Sequence, residues 1–168
     1  MRLKLLFSTL LFLVLLSNCK GKQSESLTTS HIPKNTSQHV VVDLANLFSD
    51  TENDALTEKI IQYEKTSTNQ MAVLTIDTLP QQTTIQHFGT DVANSWGVGT
   101  REKDNGLLIT ISKSDRKMVI STGEGTAQTI SDSDCKAIID QLMVPQFKIK
   151  NYYKGVDKAI DSLIQLWD

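Results

Sequence analysis

The 168 residues carry 17 basic and 19 acidic side chains, a formal net charge of −2. That mild acidity argues against a nucleic-acid surface built on bulk positive charge. Residues 40–168 are enough for one domain with a core of its own.

The first 18 residues read as an export signal. Arg2 and Lys4 give a positive start, and Leu5–Leu16 is apolar apart from Ser8 and Thr9. At about 12 residues the run is too short for a stable bilayer span, which takes about 20. It ends in Leu16-Ser17-Asn18-Cys19, which resembles a bacterial lipoprotein box. That resemblance implies acylation of Cys19 and a lipid-anchored protein of the cell envelope, its domain facing the periplasm or outside. Loss of Arg2 and Lys4 takes the 17 basic side chains to 15 against 19 acids, a net charge of −4. Cys135 is then the one thiol left, which leaves no intramolecular disulfide. Residues 19–39 are rich in Ser, Thr, Gln and Lys and read as a flexible tether, with His31 and His39 solvated.

The folded part begins at Val40-Val41-Val42. Ser49-Asp50-Thr51-Glu52 has the form of a capping box, and Ala55, Leu56, Ile60 and Tyr63 repeat behind it at helical spacing. Met71–Ile76 is a buried-strand run. Ile85, Phe88, Val92 and Trp96 mark a second helix. Leu107–Ser112 and Lys117–Thr122 read as strands joined through the polar tetrad Lys113-Ser114-Asp115-Arg116, a hairpin. Ser131 or Ser133 caps a third helix carrying Cys135, Ile138, Ile139, Leu142 and Met143, which Pro145 is expected to stop. Cys135 lies on its apolar face, which suits a buried, inert thiol. Val156, Ile160, Leu163, Ile164 and Trp167 form a fourth helix. Strands that are apolar throughout want cover on both faces. The expected fold is therefore a three-layer α/β/α sandwich with a central mixed sheet of about four strands.

Several chemistries fail on spacing. Gly97-x-Gly99 and Gly123-x-Gly125 meet Glu102 and Gln128 where a dinucleotide loop needs a third glycine. There is no phosphate loop, no His-Glu-x-x-His helix and no arginine six residues beyond Cys135. Oxygen donors remain. Asp104 and Asn105 stand in the loop Trp96–Gly106, a setting in which sites are common. The hairpin brings Gly123-Glu124-Gly125 to the same sheet edge, with Asp132 shortly after it. Asp104, Asn105, Glu124 and Asp132 can thus converge as hard ligands for calcium or magnesium. The competing reading makes Asp104 and Asn105 a turn, and Asp132 and Asp134 helix caps.

Three segments carry a family resemblance: Val42-Asp43-Leu44-Ala45-Asn46-Leu47; the Trp96–Gly106 loop; and Val144-Pro145-Gln146-Phe147 with Tyr152 and Gly155. Together they resemble the signature segments of the TPM-domain family. The resemblance implies a sandwich fold outside a membrane and a divalent-cation site, chiefly for Ca2+ (or Mg2+). Carried over by position, Asp43, Asp104, Asn105 and Asp132 match its acidic and amide residues. It also implies two alternative activities. One is metal-dependent phosphatase action on a phosphorylated small molecule. The other is a non-catalytic, calcium-dependent accessory or assembly role with an envelope protein. Two departures stand out. Glu124 and Ala127 occupy positions where the family commonly has an aromatic residue and a glutamate, and Lys150-Asn151 replaces a usual Gly-Asp pair.

Overall fold

A computed structural model describes residues 31–167. The expected signal, Cys19 and the first part of the tether lie outside these residues. The elements run β1 (Val41–Asp43), α1 (Asp50–Ser67), β2 (Gln70–Ile76), α2 (Ile85–Trp96), β3 (Gly106–Ser112), β4 (Lys117–Thr122), α3 (Asp132–Ile138), α4 (Val144–Lys148) and α5 (Tyr152–Trp167). The four strands form one sheet in the order β1-β2-β3-β4. The first three are parallel, and β4 returns antiparallel along β3.

Alternation along the strands sorts the core into two layers. Met71, Val73, Leu107, Ile109 and Ile111 pack with Leu56 and Ile60 of α1, Cys135 of α3 and Ile160 of α5. Ala72, Leu74, Ile76 and Leu108 point the other way, against Phe88 and Val92 of α2. This is the expected α/β/α sandwich with its mixed sheet. The crossovers β1-α1-β2 and β2-α2-β3 step the same way across the sheet but pass on opposite faces. They therefore have opposite hands, and one of them is the rare left-handed form.

Local chemistry explains the helix starts. The Ser49 hydroxyl accepts from the Glu52 N–H while Ser49 N–H donates to the Glu52 carboxylate at 2.8 Å. Ser131 and Asp134 repeat the device at α3. Pro145 does not stop the third helix. A π-helical segment, Ile139–Met143, follows α3, and the Val144 N–H reaches back to the Ile139 carbonyl. Pro145 then sits in the first turn of the new helix α4, where its missing N–H costs nothing.

Residues 31–39, the last part of the expected tether, lie on the domain. Ile32 packs beside the α2 core, and the Trp96 indole N–H donates to the Pro33 carbonyl at 2.7 Å. An indole N–H that leaves water needs such a partner. No helix among the described residues is long and apolar enough to cross a membrane.

The two long helices on one face are pinned by charge. Asp157 of α5 accepts from Lys59 of α1 and from Lys154 at 3.1 Å, and Lys59 also meets Asp161 at 2.5 Å. Burial alone would push the Asp157 carboxyl up; the hydrogen bonds and charges of Lys59 and Lys154 outweigh it and hold the group below its ordinary value. A lowered folded-state value means that the unfolded chain binds the proton more tightly. The stabilisation is thus present above about pH 4 and lost as pH falls through the folded value. Urea midpoints measured from pH 7 down to pH 2 should fall on the acid side, and the fall should be shallower in Asp157→Asn.

Candidate functional site

The expected site residues fall at two ends of the sheet. Gly106 pairs with Gln70, and Leu107 with Thr122, so the Trp96–Gly106 loop and Gly123–Gly125 share one edge. Asp43 pairs with Thr75, five residues further along β2. At about 3.3 Å per residue that separation is roughly 16 Å. Asp43 is occupied where it stands: its carboxylate accepts from the N–H groups of Leu47 (3.1 Å) and Phe48 (2.9 Å) and from the Thr75 hydroxyl. It shapes the turn into α1 and does not join the others.

The loop itself is stitched to the α1–β2 junction by Asn105, which is 5% exposed. Its Oδ1 accepts from the Thr100 N–H (3.0 Å) and hydroxyl (3.1 Å). Its Nδ2 donates to the Thr68 carbonyl (2.8 Å) and to Asn69 Oδ1 (3.3 Å). An amide has one acceptor oxygen and two donor hydrogens, so these partners use its full donor set. Gln70 adds a second stitch, its Oε1 accepting from the Gly99 N–H at 2.7 Å while its Nε2 donates to Glu64. Lys103 adds a third, donating to the Thr68 hydroxyl at 3.1 Å. Gln70, Thr68 and Asn69 carried no signal in the sequence beyond their place before a strand.

Backbone lies directly on backbone at this edge. A Cβ on Gly123 or Gly125 would overlap the carbonyl oxygens of Asp104 and Lys103. The Thr126 hydroxyl closes the stack by donating to the Gly106 carbonyl at 2.9 Å. Asp104, at φ 46°, and Glu124 belong to this stack, and Asp132 follows at the start of α3; all three side chains are exposed. None of their carboxylates takes a hydrogen bond among the described residues. Asp132 stands in the first turn of α3, one turn before Cys135.

Calcium takes six to eight oxygens and magnesium six. Of the five expected ligands, Asp43 and Asn105 are committed elsewhere. No three acidic, histidine or cysteine side chains come together as a metal-binding group among the described residues. What remains of the expected donor set is the three exposed carboxylates of Asp104, Glu124 and Asp132. There is no activated thiol among the described residues. Burial, and then the charges of Asp132 and Asp134, push the Cys135 thiol up to about 11. A buried group of that kind stays protonated and inert.

At the opposite end of the sheet, where β3 passes into β4, lies an open cleft of about 460 Å³. Its floor holds Ile111, Met118 and Phe147, and its rim is basic.

Comparison with solved structures supports the fold. The N-terminal domain of a protein from P. gingivalis is 25% identical with a TM-score of 0.70, over 77% of this chain and 82% of that one. The N-terminal domain of the cg2496 protein from Corynebacterium glutamicum is 14% identical with a TM-score of 0.60, over 83% and 86%. The BA42 protein from the psychrophilic bacterium Bizionia argentinensis is 20% identical with a TM-score of 0.56, over 72% and 86%. No curated protein matches the chain. A family model described as the TPM domain matches residues 41–166, from the first strand to the end of the last helix. With the glycine-stacked loop and the mixed four-stranded sheet, that match makes this chain a member of the TPM-domain family.

Proposed function

We propose that this protein is an envelope-tethered TPM domain that works by binding a partner and not by turning over a substrate. The observation that carries the reading is Asn105. The most distinctive loop of the chain is held rigid by its own amide and by Gln70, so its order serves presentation of the loop. The inert thiol at Cys135 supports the same reading, as does the position of Asp43 at the far end of the sheet. The tether is supported by the lipoprotein-like Leu16–Cys19 segment.

A second reading, cation-dependent phosphatase action, draws on the exposed carboxylates of Asp104 and Glu124 at one backbone stack, with Asp132 at the start of α3. Hydrolysis of a generic phosphate ester and of ATP, with and without EDTA, separates the two. The binding reading expects background turnover that EDTA and Asp104→Asn leave unchanged. EDTA-sensitive turnover that disappears in Asp104→Asn would overturn it in favour of the phosphatase. Cys19→Ser should release the protein from the membrane fraction; retention there would defeat the anchor.

A further inference from the structure

The cleft at the β3–β4 end is lined by Lys113, Arg116, Lys117, Lys148 and Lys150, and by no acidic residue. These are five of the 15 basic side chains that follow the signal, gathered in one place on a chain with more acids than bases. A solvated face normally mixes the two signs. None of the five makes an ion pair among the described residues, where the cations engaged in pairs are Lys59, Lys136 and Lys154. Lys113 is fixed by donating to the neutral Ala45 carbonyl at 2.9 Å, which leaves its charge uncompensated. Asp115, the acid of the hairpin turn, lies near enough to Lys117 for its carboxyl to feel that charge but makes no ion pair with it. Its hydrogen bonds go elsewhere, from the Ser112 hydroxyl at 2.6 Å and the Leu79 N–H at 2.7 Å.

Two of the cations stand where side chains are costly. Arg116 at φ 53° and Lys150 at φ 60° occupy left-handed backbone, which glycine or asparagine takes more cheaply. Between the cations the floor is apolar and aromatic. Ile111 is buried, and Phe147 meets Tyr152 edge to face with ring centroids 5.1 Å apart. The volume falls in the range of small-molecule sites.

We propose that this cleft binds a soluble phosphorylated small molecule with a planar body. Each feature selects part of that ligand. A phosphate monoester carries close to two negative charges and three acceptor oxygens near neutral pH, which suits several point charges better than one carboxylate does. A flat ring is accommodated against Phe147 and Tyr152. The concave floor fits a discrete molecule. The chain also joins the domain at the other end of the sheet, where Pro33 meets Trp96, so this end is not the one that the tether reaches first. The cleft is separate from the Asp104 loop, and the proposal stands whether or not that loop supports turnover.

Titration of the whole protein with phenyl phosphate, followed by calorimetry, tests it, with inorganic phosphate and phenol as partial probes. Saturable binding of phenyl phosphate, tighter than either partial probe and weakened by salt, is the expected result. Arg116→Gln combined with Lys150→Gln should raise its Kd by about tenfold, with the melting temperature held or slightly raised because both side chains are exposed. Tyr152→Ala should narrow the gap between phenyl phosphate and inorganic phosphate. An unchanged Kd in the double variant would overturn the assignment, as would no saturable binding of phenyl phosphate. Binding to anionic phospholipid vesicles without binding of phenyl phosphate would overturn it too, and would make this end of the domain a membrane-facing surface.

Discussion

Asn105→Asp is expected to lower the melting temperature by about 10 °C, in calcium and in EDTA alike. The substitution keeps the shape and the acceptor oxygen but removes both donor hydrogens. The Thr68 carbonyl and Asn69 Oδ1 then face a carboxylate in a site that is 5% exposed. Unpaired buried groups and a charge next to acceptors cost about 3 kcal/mol together. In a domain of this size each kcal/mol moves the midpoint by about 3–5 °C. The sign separates two roles for this residue. A cation ligand would gain from the change, because a carboxylate binds calcium better than an amide does. Thermal melts in the two conditions decide: a loss that calcium restores would make Asn105 a ligand and not a clamp.

Gly106→Ala is expected to be as damaging for a steric reason. Gly106 opens β3, pairs with Gln70 and offers its carbonyl both to the Gly123 N–H and to the Thr126 hydroxyl. A methyl group there would overlap the Val98 carbonyl. The obstacle is backbone that is itself held on both sides, since Gly99 is tied to Gln70. Rotamer changes cannot relieve it, so the cost should reach the upper end of overpacking, about 3 kcal/mol. Chemical denaturation measures it, and a loss below about 1 kcal/mol would mean that the loop shifts freely.

Much of the fold was legible because its signals are local. The Ser49 and Ser131 capping boxes, the strand runs and the Lys117–Thr122 hairpin partner are all written within a few neighbouring residues. Pro145 was misleading, since a π-helical segment resets the helix so that proline falls in a first turn, and no short pattern announces that reset. The expected site was harder to read for a chemical reason. Carboxylates and amides are the residues of turns and caps as well as of cation sites, so Asp43 and Asn105 look alike in sequence under either role. Only pairing register parts Asp43 from Asp104, and only the Thr68 and Thr100 contacts reveal the work of Asn105. The basic cleft left no local mark at all. Its cations come from the hairpin turn and from the end of α4, more than thirty residues apart in sequence, and tertiary structure alone joins them.

The opposed hands of the two crossovers bear on how the chain can assemble. α2 passes on the face away from α1 and packs on β4 as well as β3, with Gly89 so close that a Cβ would lie 2.8 Å from the Ser121 hydroxyl. Yet β4 is synthesised after both α2 and β3. Until β4 is in place, α2 has only β2 and β3 to pack on, and the part of its seat formed by Val119 and Ser121 is missing. Closing the hairpin through the Lys113–Arg116 turn completes that seat, so the α2 layer depends on a turn that lies after it in the chain.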